Sequence, residues 1–123
     1  MPYSVYKLIH FLGIFILIAS LTASSMHALR GGTKTDNPHR RALGILHGVS
    51  LILILLGGFG MLARLGIVQG GLPGWIWGKL AIWIALGGAL ALAARGREPA
   101  RIVLIGVPLL AVAAGAIALY KPF

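Results

Sequence analysis

The sequence predicts an all-α membrane protein: a four-transmembrane-helix antiparallel bundle that forms a single domain over residues 1–123. Hydrophobic residues make up 59% of the 123 residues, only 11% are charged, and the mean hydropathy is +0.94. A soluble domain carries about 25% charged residues. Four apolar runs each approach or exceed the roughly 20 residues that cross a bilayer, and short segments rich in Gly, Pro and charge separate them. A soluble enzyme and a nucleic-acid-binding module are therefore excluded.

The predicted spans are residues 4–29, 42–65, 75–94 and 101–120. The first has an apolar core longer than the roughly 7–15 residues of a signal peptide, so we expect a retained helix. A Gly-Gly pair and an Asp-Asn-Pro turn precede the second, a glycine-rich connection precedes the third, and Pro99 opens the fourth. Because all three connections are short, consecutive helices should be antiparallel neighbours.

The charge pattern predicts the orientation in the membrane. Eleven Lys and Arg against two acidic residues give a net charge of +9, and most of these bases lie in the first and third connections. We expect the protein in the cell (inner) membrane. The positive-inside rule then predicts that those connections face the cytoplasm and that both termini lie on the outer side. We expect the bases to contact anionic lipid headgroups. An aromatic belt on the outer side would consist of Tyr3, Tyr6, Trp75, Trp77 and Tyr120.

Polar residues inside the spans normally face the protein interior. Alternating spacings of three and four residues predict one interior seam on each of the first two helices. Glycines on the second and third helices would admit a neighbouring helix or a flat macrocycle, and they are Gly44, Gly48, Gly57, Gly58, Gly60, Gly87 and Gly88. The first seam comprises His10, Gly13, Leu17, Ser20, Ser24 and His27, and the second comprises His47, Leu51, Ile54, Gly58, Met61 and Leu65.

The candidate site residues fall into an outer group of His10, Met61 and Lys79 and an inner group of His27 and His47. Imidazoles on facing helices hold haem iron, and His with Met is also a known pair. The outer site would use His10 as the metal ligand with Met61 or another partner, and the inner site would pair the other two histidines. In the alternative, the histidines hydrogen-bond neighbouring helices, Lys79 extends to the interface and Met61 only packs.

The two histidines of the first helix cannot serve one site, because 17 residues separate them, or about 25 Å along a helix. The only acidic residues, Asp36 and Glu98, are predicted to lie in connections. Carboxylate acid–base pairs are therefore missing from the spans, which excludes a hydrolase of that kind. Because the chain has no cysteine, disulfides, iron–sulfur clusters and covalently attached haem are excluded as well.

Three stretches resemble the small membrane-bound protoporphyrinogen IX oxidases of the HemJ type. They are KLIH (7–10), WIWGKLAIWIALGG (75–88), and RIVLIGVP (101–108) with the terminal YKPF (120–123). The resemblance covers most of the chain by order and spacing. The family's tryptophan and Ala-Gly pair after the histidine are replaced by IFILIAS (14–20), and its arginine-containing end of the first helix by LTASSMHALR (21–30).

This resemblance implies a haem b cofactor and places the family's functional histidine and lysine at His10 and Lys79, the lysine as the catalytic position. The protein would then be a porphyrinogen oxidase or an electron-transfer protein, and any reaction would pass electrons from a porphyrinogen through the haem to another electron carrier. The alternative is a non-catalytic accessory subunit of a larger respiratory or photosynthetic membrane complex, since the spans leave no extramembrane domain. The apolar helices would then face partner helices or a second copy of the chain.

Overall fold

The computed structural model describes residues 2–32, 36–66 and 74–120. Within these ranges the chain forms four α-helices and no strand: α1 (Tyr3–Leu29), α2 (Arg40–Leu65), α3 (Gly74–Ala93) and α4 (Arg97–Tyr120). All four are long and apolar enough to span a membrane. The all-α four-helix fold is confirmed, and the chain is a multi-pass membrane protein.

The fourth helix begins four residues earlier than predicted, at Arg97. Glu98 and Pro99 occupy its first turn, where a proline costs no hydrogen bond because the backbone N–H groups have no intrahelical partner. An acidic side chain is also favourable at this end of a helix. Glu98 accepts a hydrogen bond from Arg101 Nη1 at 2.7 Å. It therefore belongs to α4 and not to the preceding connection, although it remains exposed.

Close backbone contact joins α1 to α2, its most extensive neighbour. A Cβ atom placed at Gly57 would lie 2.6 Å from the backbone nitrogen of His10, and one placed at Gly13 would lie 2.9 Å from that of Ile54. Both distances are shorter than real Cβ contacts, so only glycine permits this spacing. The contact sets the antiparallel register that brings His10 opposite Ile54.

The apolar core lies on the other side of α1, between α1, α3 and α4. Helices α2 and α4 do not contact each other in the described part of the chain. Two reciprocal hydrogen bonds link α2 and α3: His47 Nε2 donates to the Gly87 carbonyl and Trp83 Nε1 to the Leu51 carbonyl, each at 3.1 Å. The core consists of Leu17, Leu21, Leu86, Ala89, Ala93, Val103 and Val107.

The predicted seam of α1 is confirmed except at His27, which is only half-buried. On α2 the buried face is displaced from the predicted one. Small residues at Ser50 and Gly57 let α1 approach this other face of α2 most closely. The last residue of the predicted seam, Leu65, has a side chain outside the described part. The buried residues of α2 are His47, Ser50, Gly57 and Leu62, and the partly exposed ones include Leu51, Ile54, Gly58 and Met61.

Candidate functional site

The bundle has two chemically different ends. At the aromatic end α1 and α3 begin and α4 stops, and this end carries Tyr3, Trp75, Trp77 and Tyr120. The opposite end, here the basic end, holds the α1–α2 and α3–α4 connections. His10 and Lys79 lie toward the aromatic end, whereas His27 lies at the basic end. The structure thus separates the outer and inner groups that the sequence predicts.

His10 has a defined tautomer, because its Nδ1 lies 2.8 Å from the carbonyl oxygen of Ile54. A carbonyl only accepts hydrogen bonds, so Nδ1 donates and the neutral ring keeps its lone pair on Nε2. That nitrogen makes no hydrogen bond to any described residue. A backbone carbonyl that orients the ring through Nδ1 while Nε2 remains available is the usual arrangement of a metal-ligating histidine.

Two consecutive glycines of α2 make room for this imidazole. Gly57 accommodates the backbone of His10, and Gly58 lies beside its ring, where a Cβ would stand 3.6 Å from both Nδ1 and Cε1. His10 is therefore nearly sealed on the α2 side, with 9% of its surface exposed. The open side of the ring is the one that faces α3 and α4.

His10 lines two adjoining cavities of about 190 and 470 Å³, here together called the His10 cavity. Met61 and Lys79 line both parts, so the structure brings together the whole outer group. The larger part lies within the range of roughly 300–1,000 Å³ that is common for small-molecule sites. The wall of the smaller part is mostly apolar and includes the aromatic side chains of Tyr3, Phe59, Trp75 and Trp83.

Lys79 supplies the positive charge of the His10 cavity. Its side chain is half-buried on α3, one turn inside Trp75. It forms no ion pair in the described part of the chain, and both acidic residues lie at the basic end. An ammonium group held inside a span without a carboxylate partner is suited to bind an anionic group of a ligand.

The inner histidines have different surroundings. His27 Nε2 donates to Asp36 Oδ1 at 2.7 Å, and His27 lines cavities at the basic end that do not include His47. His47 is 5% exposed and uses its Nε2 for the Gly87 carbonyl, while its Nδ1 is buried without a hydrogen-bond partner among the described residues. The structure therefore gives the predicted inner pair no common cavity, and each Nε2 already has a partner.

Sequence reasoning missed two parts of the outer site. The carbonyl of Ile54 has no signature in the sequence, because any residue carries one. Trp83 had a signal, since it follows Lys79 by four residues and so shares its face of the helix. Its indole lines both parts of the His10 cavity while its Nε1–H is held by Leu51.

The His10 cavity contains the kinds of side chain that could hold a haem. Among residues 2–32, 36–66 and 74–120, no three His, Asp or Glu side chains are grouped to hold a metal. A macrocycle supplies most of the ligands of its own iron, so one or two protein side chains suffice. His10 Nε2 and the Met61 thioether are candidate axial ligands, the apolar and aromatic walls suit a flat ring, and Lys79 suits a propionate.

Comparison of the chain with protein-family models gives no match, and comparisons with curated proteins and with solved structures give none either.

Proposed function

We propose that this protein is an integral membrane protein that binds haem b or a related porphyrin in the His10 cavity, in the manner of the HemJ-type oxidases that its sequence resembles. The observation that carries the proposal is the hydrogen bond from His10 Nδ1 to the Ile54 carbonyl at 2.8 Å. It leaves Nε2 as the ligating atom of a histidine that lines an apolar cavity within the membrane-spanning bundle.

Each residue of the outer group has a distinct role in this proposal. His10 would hold the haem iron through Nε2, Met61 on α2 would be the candidate second residue to hold it, and Lys79 would bind a propionate or a substrate carboxylate through charge-assisted hydrogen bonds. A bound haem supplies reversible electron transfer. In a porphyrinogen-oxidising enzyme, Lys79 would be the catalytic residue because it would hold the substrate in the His10 cavity.

The charge asymmetry supports a location in the cell (inner) membrane with the basic end in the cytoplasm and both termini outside. In this orientation the His10 cavity lies in the outer half of the membrane. Its position follows from helix geometry, since His10 is seven residues from the start of α1, or about 10 Å along the axis.

Absorption spectroscopy of the detergent-purified protein tests the proposal, with oxidised and dithionite-reduced spectra recorded after expression with ample haem supply. We expect a reduced b-type spectrum from the unaltered protein and its loss in the His10→Ala variant. His47→Ala is the matched control, because it removes a second buried imidazole whose Nε2 is already hydrogen-bonded, and it should keep the spectrum. Added imidazole should restore haem binding to His10→Gly, which separates lost ligation from failed folding.

Full haem content in His10→Ala would exclude His10 as a ligand. An unaltered protein that takes up neither haem nor porphyrin would overturn the proposal and favour the accessory-subunit alternative. Co-purification of other membrane polypeptides in stoichiometric amounts would then identify the complex to which it belongs.

A further inference from the structure

The basic end of the bundle carries a large excess of positive charge. Both acidic residues there are engaged: Asp36 accepts a hydrogen bond from His27, and Glu98 from Arg101. Five of the six arginines therefore form no ion pair within the described part of the chain. The six are Arg30, Arg40, Arg41, Arg95, Arg97 and Arg101.

The fold brings arginines of two separate connections to one place. Gly31, in the α1–α2 connection, has φ +87°, and a Cβ there would lie 3.0 Å from Nη2 of Arg97. The guanidinium group of Arg97, at the start of α4, thus lies against the residues that follow the end of α1. Neither Arg97 nor Arg30 forms an ion pair with a described carboxylate, so both guanidinium groups are suited to bind an anion.

A groove opens at the same end, here called the basic groove. Its inner part, of about 170 Å³, is lined by polar Ser24, Asn37 and Arg40 and by apolar Leu43 and Leu90. An outer part shares His27, Gly32, Asn37 and Leu43 with it and adds Arg30 and Asp36. The Asp36 carboxylate accepts the hydrogen bond from His27, so Arg30 is the added group that can bind an anion. A guanidinium group of α2 and apolar side chains of α2 and α3 therefore line the same cavity.

We propose that the basic groove binds an anionic phospholipid, with its phosphate held by Arg40 and Arg30 and an acyl chain packed along Leu43 and Leu90. The planar guanidinium forms paired hydrogen bonds to phosphate oxygens. Basic pockets between membrane helices are known to bind lipid headgroups of this kind. A free phosphate ion would use the arginines but not the apolar wall. This inference is independent of the porphyrin site, which lies at the other end of the bundle.

The test is a lipid titration of the purified full chain, followed by native mass spectrometry. Phosphatidylglycerol is the anionic probe, phosphatidylcholine is the zwitterionic one without net charge, and inorganic phosphate is the competitor. We expect phosphatidylglycerol to bind the unaltered protein at least about tenfold more tightly than phosphatidylcholine, and Arg40→Gln to lose most of that difference. Arg40→Lys should lose part of it, because an ammonium lacks the paired hydrogen bonds.

Arg64→Gln is the matched control, since it removes an equal charge from an exposed arginine in the last turn of the same helix, at the aromatic end. Equal losses in Arg40→Gln and Arg64→Gln would show general charge attraction and overturn the site. Equal affinity for the two lipids would overturn it too. If inorganic phosphate bound as tightly as phosphatidylglycerol and displaced it, the groove would be a site for soluble phosphate and not for a lipid.

Should Arg40→Gln fail to fold, as circular dichroism would show, Arg30→Gln tests the same phosphate contact from the end of α1. It should lower the affinity for phosphatidylglycerol without changing that for phosphatidylcholine. Unchanged phosphatidylglycerol binding in a folded Arg30→Gln protein would contradict the proposal.

Discussion

His10 and His47 show how the chemistry of a residue depends on which ring nitrogen its surroundings occupy. Both are buried and both hydrogen-bond a backbone carbonyl of another helix. His10 does so through Nδ1, which leaves the outer nitrogen of the ring toward a cavity. His47 does so through Nε2, which leaves a nitrogen sealed inside the protein. Only the unbonded nitrogen of His10 is therefore accessible to a ligand from a cavity.

The charge of Lys79 predicts how a single substitution changes haem binding. Replacing it with methionine keeps much of the side-chain length but removes the charge that would bind a propionate. We expect Lys79→Met to weaken haem binding by about tenfold, since hydrogen bonds to charged groups are worth about 1.5–3 kcal/mol. Lys79→Arg should keep most of the affinity. A haem titration of the apoprotein, monitored in the Soret region, measures both.

Identical affinities in Lys79→Met and the unaltered protein would mean that the ammonium group extends to the interface instead. The haem proposal itself would then depend on His10 alone, because His10→Ala tests the iron ligand whereas Lys79→Met tests only the propionate contact.

The geometry around His10 depends on how α1 packs against α2. Gly13 and Gly57 allow the two backbones to meet, and this contact brings the Ile54 carbonyl within reach of the imidazole. Membrane helices commonly associate through small residues that let their backbones come close. Lipid tails are as apolar as leucine side chains, so the hydrophobic effect does not drive this association and close packing does. The position of His10 relative to the carbonyl that orients it thus depends on two glycines and not on a polar side chain.

We therefore expect Gly57→Ala to destabilise the bundle by about 1–3 kcal/mol, because the new methyl group overlaps the α1 backbone and α1 must move. The same change should lower haem content. Gly48→Ala is the control within the same helix. No atom lies within 4 Å of a Cβ there, and alanine should stabilise the helix by about 0.5–1 kcal/mol. Thermal unfolding in detergent compares the two, and equal midpoints would contradict the close α1–α2 contact.

At the scale of the whole molecule, the two ends differ in charge, and this difference predicts orientation. The basic end carries six described arginines, whereas the aromatic end carries Lys7 and Arg64 near its helix termini. The positive-inside rule places the end with more bases in the cytoplasm. The basic groove would then face the cytoplasmic leaflet, and the His10 cavity would lie in the other half of the membrane.

The chain has no cysteine, so single cysteines report topology without interference. In intact cells we expect a membrane-impermeant maleimide to label Pro2→Cys, which lies before α1, and to leave His39→Cys unlabelled until the cells are permeabilised. Both positions are exposed in the structure, so differences in labelling report the membrane side. The reverse pattern would invert the orientation and move the His10 cavity toward the cytoplasm.

The sequence alone determined the class of the protein, its four helices and the inward face of α1. These follow from local properties: the length of apolar runs, and polar and small residues repeated every three or four positions. It also singled out His10, Met61 and Lys79, because polar groups inside a span are few and chemically distinct. Helix ends such as the start of α4 differed by a few residues, since the first turn of a helix tolerates the proline that marks a connection.

Only the tertiary structure decided which face of α2 is buried, which nitrogen of each histidine is available, and that the outer residues share one cavity while the inner histidines do not. The physical reason is that these properties depend on backbone atoms of a neighbouring helix. Carbonyls at Ile54 and Gly87 fix the imidazoles, and the missing side chain of Gly57 fixes the distance between helices. Every residue has a carbonyl and this chain has 18 glycines, so their partners emerge only when the helices pack.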